Sequence, residues 1–179
     1  MFDKITIIGC GLIGSSLLRA VSKKKLSKQI SVFDKSKEVL TFIKNNFSIN
    51  VCNDINESVK NSDLVIISTP LSSYKEILLS IKSSLKKNVI LTDTGSVKKE
   101  VHKVISNFNL KDIYWIASHP IAGTENSGPQ AGFAELFEGR WCILSSEDQS
   151  QKQKIEILKN FWQSLGSKVK FMNFEDHDH

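Results

Sequence analysis

The 179-residue chain predicts an α/β fold, a doubly wound, mostly parallel sheet with helices on both faces. Three observations carry this. Short β-type apolar runs alternate along the chain with stretches whose apolar residues recur at helical spacing, the order of a parallel sheet with crossover helices. The run Asp63-Leu64-Val65-Ile66-Ile67-Ser68 is apolar at successive positions, as a strand covered on both faces requires. The first such run, Ile5-Thr6-Ile7-Ile8, passes directly into glycines spaced G-x-G-x-x-G at Gly9, Gly11 and Gly14.

Taken in order, a helix is expected over residues 12 to about 21 and a second strand over 29–34, ending in Asp34. Ser36 is placed to cap a helix with Val39, Leu40 and Ile43 on one face, leading to a short third strand at 49–51. Residues 54–60 form a helical crossover, 63–68 the fourth strand, and Thr69-Pro70 stops it. Tyr74, Ile77, Leu78, Ile81 and Leu85 make a helical stripe before a fifth strand at 88–92. Val97, Val101, Val104, Ile105 and Phe108 make the next stripe. A sixth strand follows at 113–117, a seventh at 141–144 and an eighth at 168–172, with the stripe Ile155, Leu158, Phe161, Trp162, Leu165 between the last two.

Composition bounds the function. With 40% hydrophobic and 24% charged residues the chain is globular, long enough for one well-packed domain, and has no run of 18 apolar residues to span a membrane. Its start runs straight into a strand, so no signal peptide is expected. Cys10, Cys52 and Cys142 lack C-x-x-C spacing and read as reduced thiols of a cytoplasmic protein, with neither disulfide nor metal site. The net charge of +5 comes from scattered lysines without interleaved aromatics, which describes a solvated surface and argues against nucleic acid.

The glycine run has a mechanical reading. Gly9 allows a tight turn off the strand, Gly11 has no side chain to hold a pyrophosphate away, and Gly14 lets the helix lie close on the sheet. The free N–H groups that open the helix, at Leu12 and Ile13, then face the phosphates of a dinucleotide. Asp34 lies 20 residues after Gly14, where a carboxylate takes the ribose 2′-hydroxyl. A 2′-phosphate would meet like charge there, so NAD is expected over NADP, although Lys35 and Lys37 partly offset the repulsion.

In such sheets ligands bind beyond the carboxyl ends of the strands. Those ends read Gly9-Cys10-Gly11, Ser68-Thr69-Pro70, Asp93-Thr94-Gly95-Ser96 and Ser118-His119-Pro120. Ser68, Thr69 and Pro70 are expected to border the nicotinamide ribose. The residue before proline is biased to extended geometry, which aims the His119 ring off the sheet edge into the crevice. His119 is therefore the candidate general base. His102, His177 and His179 have no such setting and are expected to face solvent. Ser96 also fits the N-cap of the following helix, before Val97-Lys98-Lys99-Glu100.

The run Ser118-His119-Pro120-Ile121-Ala122-Gly123-Thr124-Glu125-Asn126-Ser127-Gly128-Pro129, continued by Phe137-Glu138-Gly139-Arg140-Trp141, resembles the signature of prephenate and arogenate dehydrogenases of tyrosine biosynthesis. Asp93-Thr94-Gly95-Ser96-Val97-Lys98 resembles a second block of that family, and the likeness extends over essentially the whole chain. It implies a Rossmann-type domain and NAD-dependent oxidative decarboxylation. A cyclohexadienol carrying a ring carboxylate gives its C4 hydride to NAD⁺ and loses CO₂, and aromatisation drives the reaction forward. The same resemblance makes His119 the base, Ser96 a partner of both His119 and the substrate hydroxyl, and Thr124 and Glu125 substrate contacts. Arg140 reads as a structural ion-pair partner.

The family continues into an all-helical domain that makes a homodimer and contributes substrate-binding residues. The resemblance therefore implies a dinucleotide-binding domain over 1–173, with 174–179 opening the connection to that absent domain. Surface around Phe171, Met172 and Phe174 is expected to be left exposed. Two rival readings share the glycine fingerprint: another Rossmann hydroxyacid or imine oxidoreductase, and a NAD-sensing module without turnover. The long motif around His119 separates the first, since hydroxyacid enzymes of that type rely on a lysine.

Overall fold

The apolar strand residues divide by alternation between two faces, and each face has its own helices. In this computed structural model, which describes residues 1–177, Ile5, Ile7, Leu64, Ile66 and Ile90 are buried in one core with Leu17, Leu18, Ile43, Leu158 and Trp162. Their neighbours Ile8, Val65, Ile67 and Leu91 are buried in the other with Val59, Leu78, Ile81 and Val101. A strand with apolar residues at both parities is stable only between two helical layers, which the sequence supplies.

The strands are β1 (Phe2–Ile8), β2 (Ser27–Phe33), β3 (Asn50–Val51), β4 (Leu64–Ile67), β5 (Ile90–Asp93) and β6 (Tyr114–Trp115). They pair in parallel in the order β3-β2-β1-β4-β5-β6, the doubly wound order that reverses beside β1. The first layer carries α1 (Leu12–Lys24), α2 (Lys37–Asn46) and α6 (Lys152–Ser164), and the second α3 (Ile55–Val59), α4 (Tyr74–Ile81) and α5 (Lys98–Ser106).

Caps fall where side chains provide an acceptor. Ser36 accepts from Val39 N and Asp54 from the N–H groups of Asn56 and Glu57. The helix after β5 departs from expectation. Val97 holds the N-cap position with extended geometry and no side-chain cap, and Ser96 is exposed one residue earlier.

The single strand expected over 113–117 is two. After β6, Ile116 leaves the large sheet and β7 (Ala117–Pro120) pairs antiparallel with β8 (Trp141–Ser145), which pairs parallel with β9 (Lys168–Phe171). The protein therefore has a six-stranded parallel sheet and a small three-stranded one. A short helix α7 (Phe174–His177) follows β9. Phe174 is buried, contrary to expectation, because its ring stacks on His102 at 4.6 Å, whereas Phe171 is exposed as expected. All three cysteines are free thiols and buried. Among the described residues no helix is long and apolar enough to cross a membrane.

Candidate active site

The crevice begins at the turn after β1. Gly9 has φ +87° and a Cβ there would lie 2.7 Å from the Ser68 carbonyl oxygen, so both conformation and space exclude a side chain. At Gly14 a Cβ would come within 1.9 Å of the Gly9 carbonyl oxygen, so α1 can approach the strand only with glycine there. Gly11, the N-cap of α1, faces open space. The first turn of α1 thus presents its N–H groups to a cleft, the arrangement that suits a pyrophosphate.

Two clefts meet at this turn, and Gly11, Ser68, Thr69 and Pro70 line both. The first, about 350 Å³, is bounded by Gly9, Phe33, Asp34, Ile55 and Ile77. Asp34 is half-buried and its two oxygens accept from the N–H groups of Cys10 and Ser36, each at 2.8 Å. Held in this way, the carboxylate is orientated before any ligand arrives. The second cleft, about 420 Å³, is bounded by Leu12, Ile13, Ser96, His119 and Pro120. Ser68 and Thr94 hydroxyls lie 3.0 Å apart at its edge. The residues fit a dinucleotide laid across the glycine turn.

Beneath His119 is a buried polar cluster that pattern reading misses. Lys98 donates to both oxygens of Asp93 at 2.8 and 2.6 Å, and neither side chain is exposed. Asp93 also accepts from Tyr74 Oη, Gly95 N and Ser118 N. Burial, together with the adjacent Asp93 carboxylate, pushes the Tyr74 phenol far above its ordinary range, so it stays a donor. Ser118 joins the sheets: its hydroxyl lies 2.7 Å from Thr92 Oγ1 and accepts from Trp162 Nε1. Only the juxtaposition of Asp93 and Lys98 within one motif hinted at this in the sequence.

Several expectations are redrawn. His177 is half-buried rather than fully solvent-facing, and its Nε2 lies 2.9 Å from His119 Nδ1. His102 pairs with Glu147 at 2.7 Å. His179 lies outside the described residues. Thr124 and Glu125 are exposed on the loop after β7 and do not line the clefts, and Thr124 Oγ1 accepts from Asn126 N. Arg140 is exposed, and among the described residues it has no carboxylate at ion-pair distance. No group of metal ligands exists among the described residues.

A sequence-family model described as prephenate dehydrogenase, nucleotide-binding domain, matches residues 17–171. The chain belongs to this family. Within it, a cyclohexadienyl dehydrogenase of Zymomonas mobilis is 39% identical over 180 residues, a match covering 100% of this chain and 61% of the relative. A prephenate dehydrogenase of Lactococcus lactis is 30% identical, covering 98% of this chain and 48% of the relative. The crystal structure of prephenate dehydrogenase from Aquifex aeolicus superposes with a TM-score of 0.88 at 27% identity, covering 97% of this chain and 63% of that one. The chain thus spans about half to three-fifths of the length of these relatives, and its nucleotide-binding domain is the part they share.

Proposed function

We propose that this chain is the cofactor-binding and proton-accepting part of an NAD-dependent dehydrogenase that oxidatively decarboxylates prephenate or arogenate in tyrosine biosynthesis, in the cytoplasm. The observation that carries this reading is that His119 and Ser96 border the same cleft as the glycine turn and Ser68-Thr69-Pro70. Bound NAD⁺ would supply the hydride acceptor. The names of the relatives, and an Aquifex aeolicus prephenate dehydrogenase crystallised with hydroxyphenyl propionate and NAD⁺, support the cofactor and substrate class.

The residues divide the work. Gly9, Gly11, Leu12, Ile13 and Gly14 seat the pyrophosphate, Asp34 takes the adenosine ribose, and Ser68, Thr69 and Pro70 flank the nicotinamide ribose. As the carbinol carbon loses hydride, its hydroxyl proton goes to the His119 imidazole, with Ser96 orienting both partners. Thr124 and Glu125, exposed on the loop that leaves β7 and outside both clefts, would meet the part of the substrate that projects beyond the second cleft. No lysine or arginine lines the second cleft among the described residues, so the substrate carboxylates take their cationic partners from elsewhere in the enzyme. On this reading 1–173 is the dinucleotide-binding domain and 174–179 leads to a helical domain that forms a homodimer.

The test is His119→Asn in the enzyme carrying that domain. NAD⁺ affinity should be nearly unchanged while prephenate-dependent NADH formation falls on the order of 10²-fold or more. Normal turnover in this variant would remove His119 from the reaction.

A further inference from the structure

We infer that His177 is a positioning residue for His119: it accepts a hydrogen bond from Nδ1 of His119 and so fixes the tautomer in which Nε2 of His119 is the basic nitrogen. The inference rests on His119 being the base proposed above. Its ground is geometric. His119 Nδ1 and His177 Nε2 are 2.9 Å apart, with ring centroids 5.0 Å apart and planes tilted by 55°.

A contact of that length between imidazoles needs one N–H and one lone pair. Two neutral arrangements provide them. If His177 donates, His119 carries its proton on Nε2 and cannot accept there from a substrate hydroxyl. If His119 donates, its Nε2 is basic, and the imidazolium formed on taking the hydroxyl proton keeps its Nδ1–H against the His177 lone pair. The base role therefore selects the second arrangement. A neutral ring thereby performs the duty that a carboxylate performs as third member of a hydrolytic triad.

His177 is held for this duty from several sides. Asn173 Oδ1 accepts from Asp176 N at 2.7 Å and fixes the start of α7. Phe174, in that helix, is stacked on His102, which Glu147 anchors from the far end of β8. Met172 N donates to Leu144 O and ties the approach to the small sheet. Among the described residues, the titratable groups around the pair include the Asp93–Lys98 ion pair beneath β7, Cys142 across β8, His102 on α5, Glu147, and Asp176, which is bonded to Asn173 Nδ2.

The experiment is nitrogen-15 spectroscopy of histidine-labelled chain, which reads which ring nitrogen bears hydrogen. In the unsubstituted chain His119 should show one neutral tautomer, protonated at Nδ1. His177→Phe should lose that preference in favour of the Nε2-protonated form and lower the pH at which His119 takes its proton. His177→Gln, whose carboxamide oxygen can take the place of the imidazole acceptor, should restore both. The His102 signals report that α7 and α5 remain folded. In the complete enzyme His177→Phe should lower kcat about tenfold with KM for NAD⁺ unchanged, part of the worth of general-base catalysis. An Nε2-protonated His119 in the unsubstituted chain, or a tautomer or kcat indifferent to His177→Phe, overturns the inference. A normal rate in His119→Asn would instead overturn the functional reading beneath it, which the spectra do not depend on.

Discussion

Lys98 Nζ sits between both carboxylate oxygens of Asp93, at 2.8 and 2.6 Å, with neither side chain reaching solvent. Removing one partner leaves the other charge buried. Lys98→Met should therefore cost about 3–5 kcal/mol in denaturant unfolding, far more than a surface pair would. A loss below about 1 kcal/mol would mean that the pair is not buried in solution.

The glycines separate into close-packed and open positions. Gly14→Ala puts a methyl 1.9 Å from the Gly9 carbonyl oxygen and should destabilise the fold by about 1–3 kcal/mol or more, the cost of overpacking. Gly11→Ala meets open space, so thermal unfolding should be unchanged while NAD⁺ binding weakens. If Gly11→Ala binds NAD⁺ normally, the pyrophosphate does not lie against that turn.

Cofactor choice follows from the carboxylate fixed by the Cys10 and Ser36 amides. Calorimetric titration of the chain should show tighter binding of NAD⁺ than NADP⁺, and Asp34→Ala should narrow the gap by weakening the first and relieving repulsion of the second. Equal or tighter NADP⁺ binding in the unsubstituted chain would show that Lys35 and Lys37 dominate.

Alkaline stability is set in part by thiols. Burial first, then the Asp34 carboxylate, raises the Cys10 thiol from 9.0 to about 12, and burial raises Cys142 as well. Because the folded value lies above the unfolded one, the contribution is complete below pH 9 and is lost as pH rises toward 12, where the unfolded chain has shed protons the folded chain keeps. Stability measured by urea unfolding should decline across that window, and Cys10→Ala should flatten the decline. A slope unaltered by the substitution would place its origin elsewhere.

The large sheet was legible because its rules are local. Ile5 to Ile8 and Leu64 to Ile67 are apolar at both parities, and each strand is followed by a helical stripe. The tight turn at Gly9 and the close approach of α1 at Gly14 were legible because their spacing has a steric meaning. The break at Ile116 was not, since a β-type run reads the same whether its partners lie in one sheet or two. His177 escaped for a similar reason: its partner is 58 residues away. The Ser96 cap failed because α5 begins with Lys98 drawn inward to Asp93, which moves the N-cap to Val97.

His119 and the glycine turn ride on different sheets. His119 belongs to β7 of the small sheet and the glycine turn to β1 of the large one, with the Ser118 hydroxyl against Thr92 and its amide on Asp93 along the seam. The distance from the glycine turn to the His119 ring is thus set across a joint between two sheets that share one core. The Ser118 hydroxyl and amide, with the Ile116 amide on the Leu91 carbonyl, hold the two in register. Trp162, which also donates to the Ser118 hydroxyl, ties that joint to the helix layer, so repacking beneath its ring would shift His119 relative to the glycine turn without touching either.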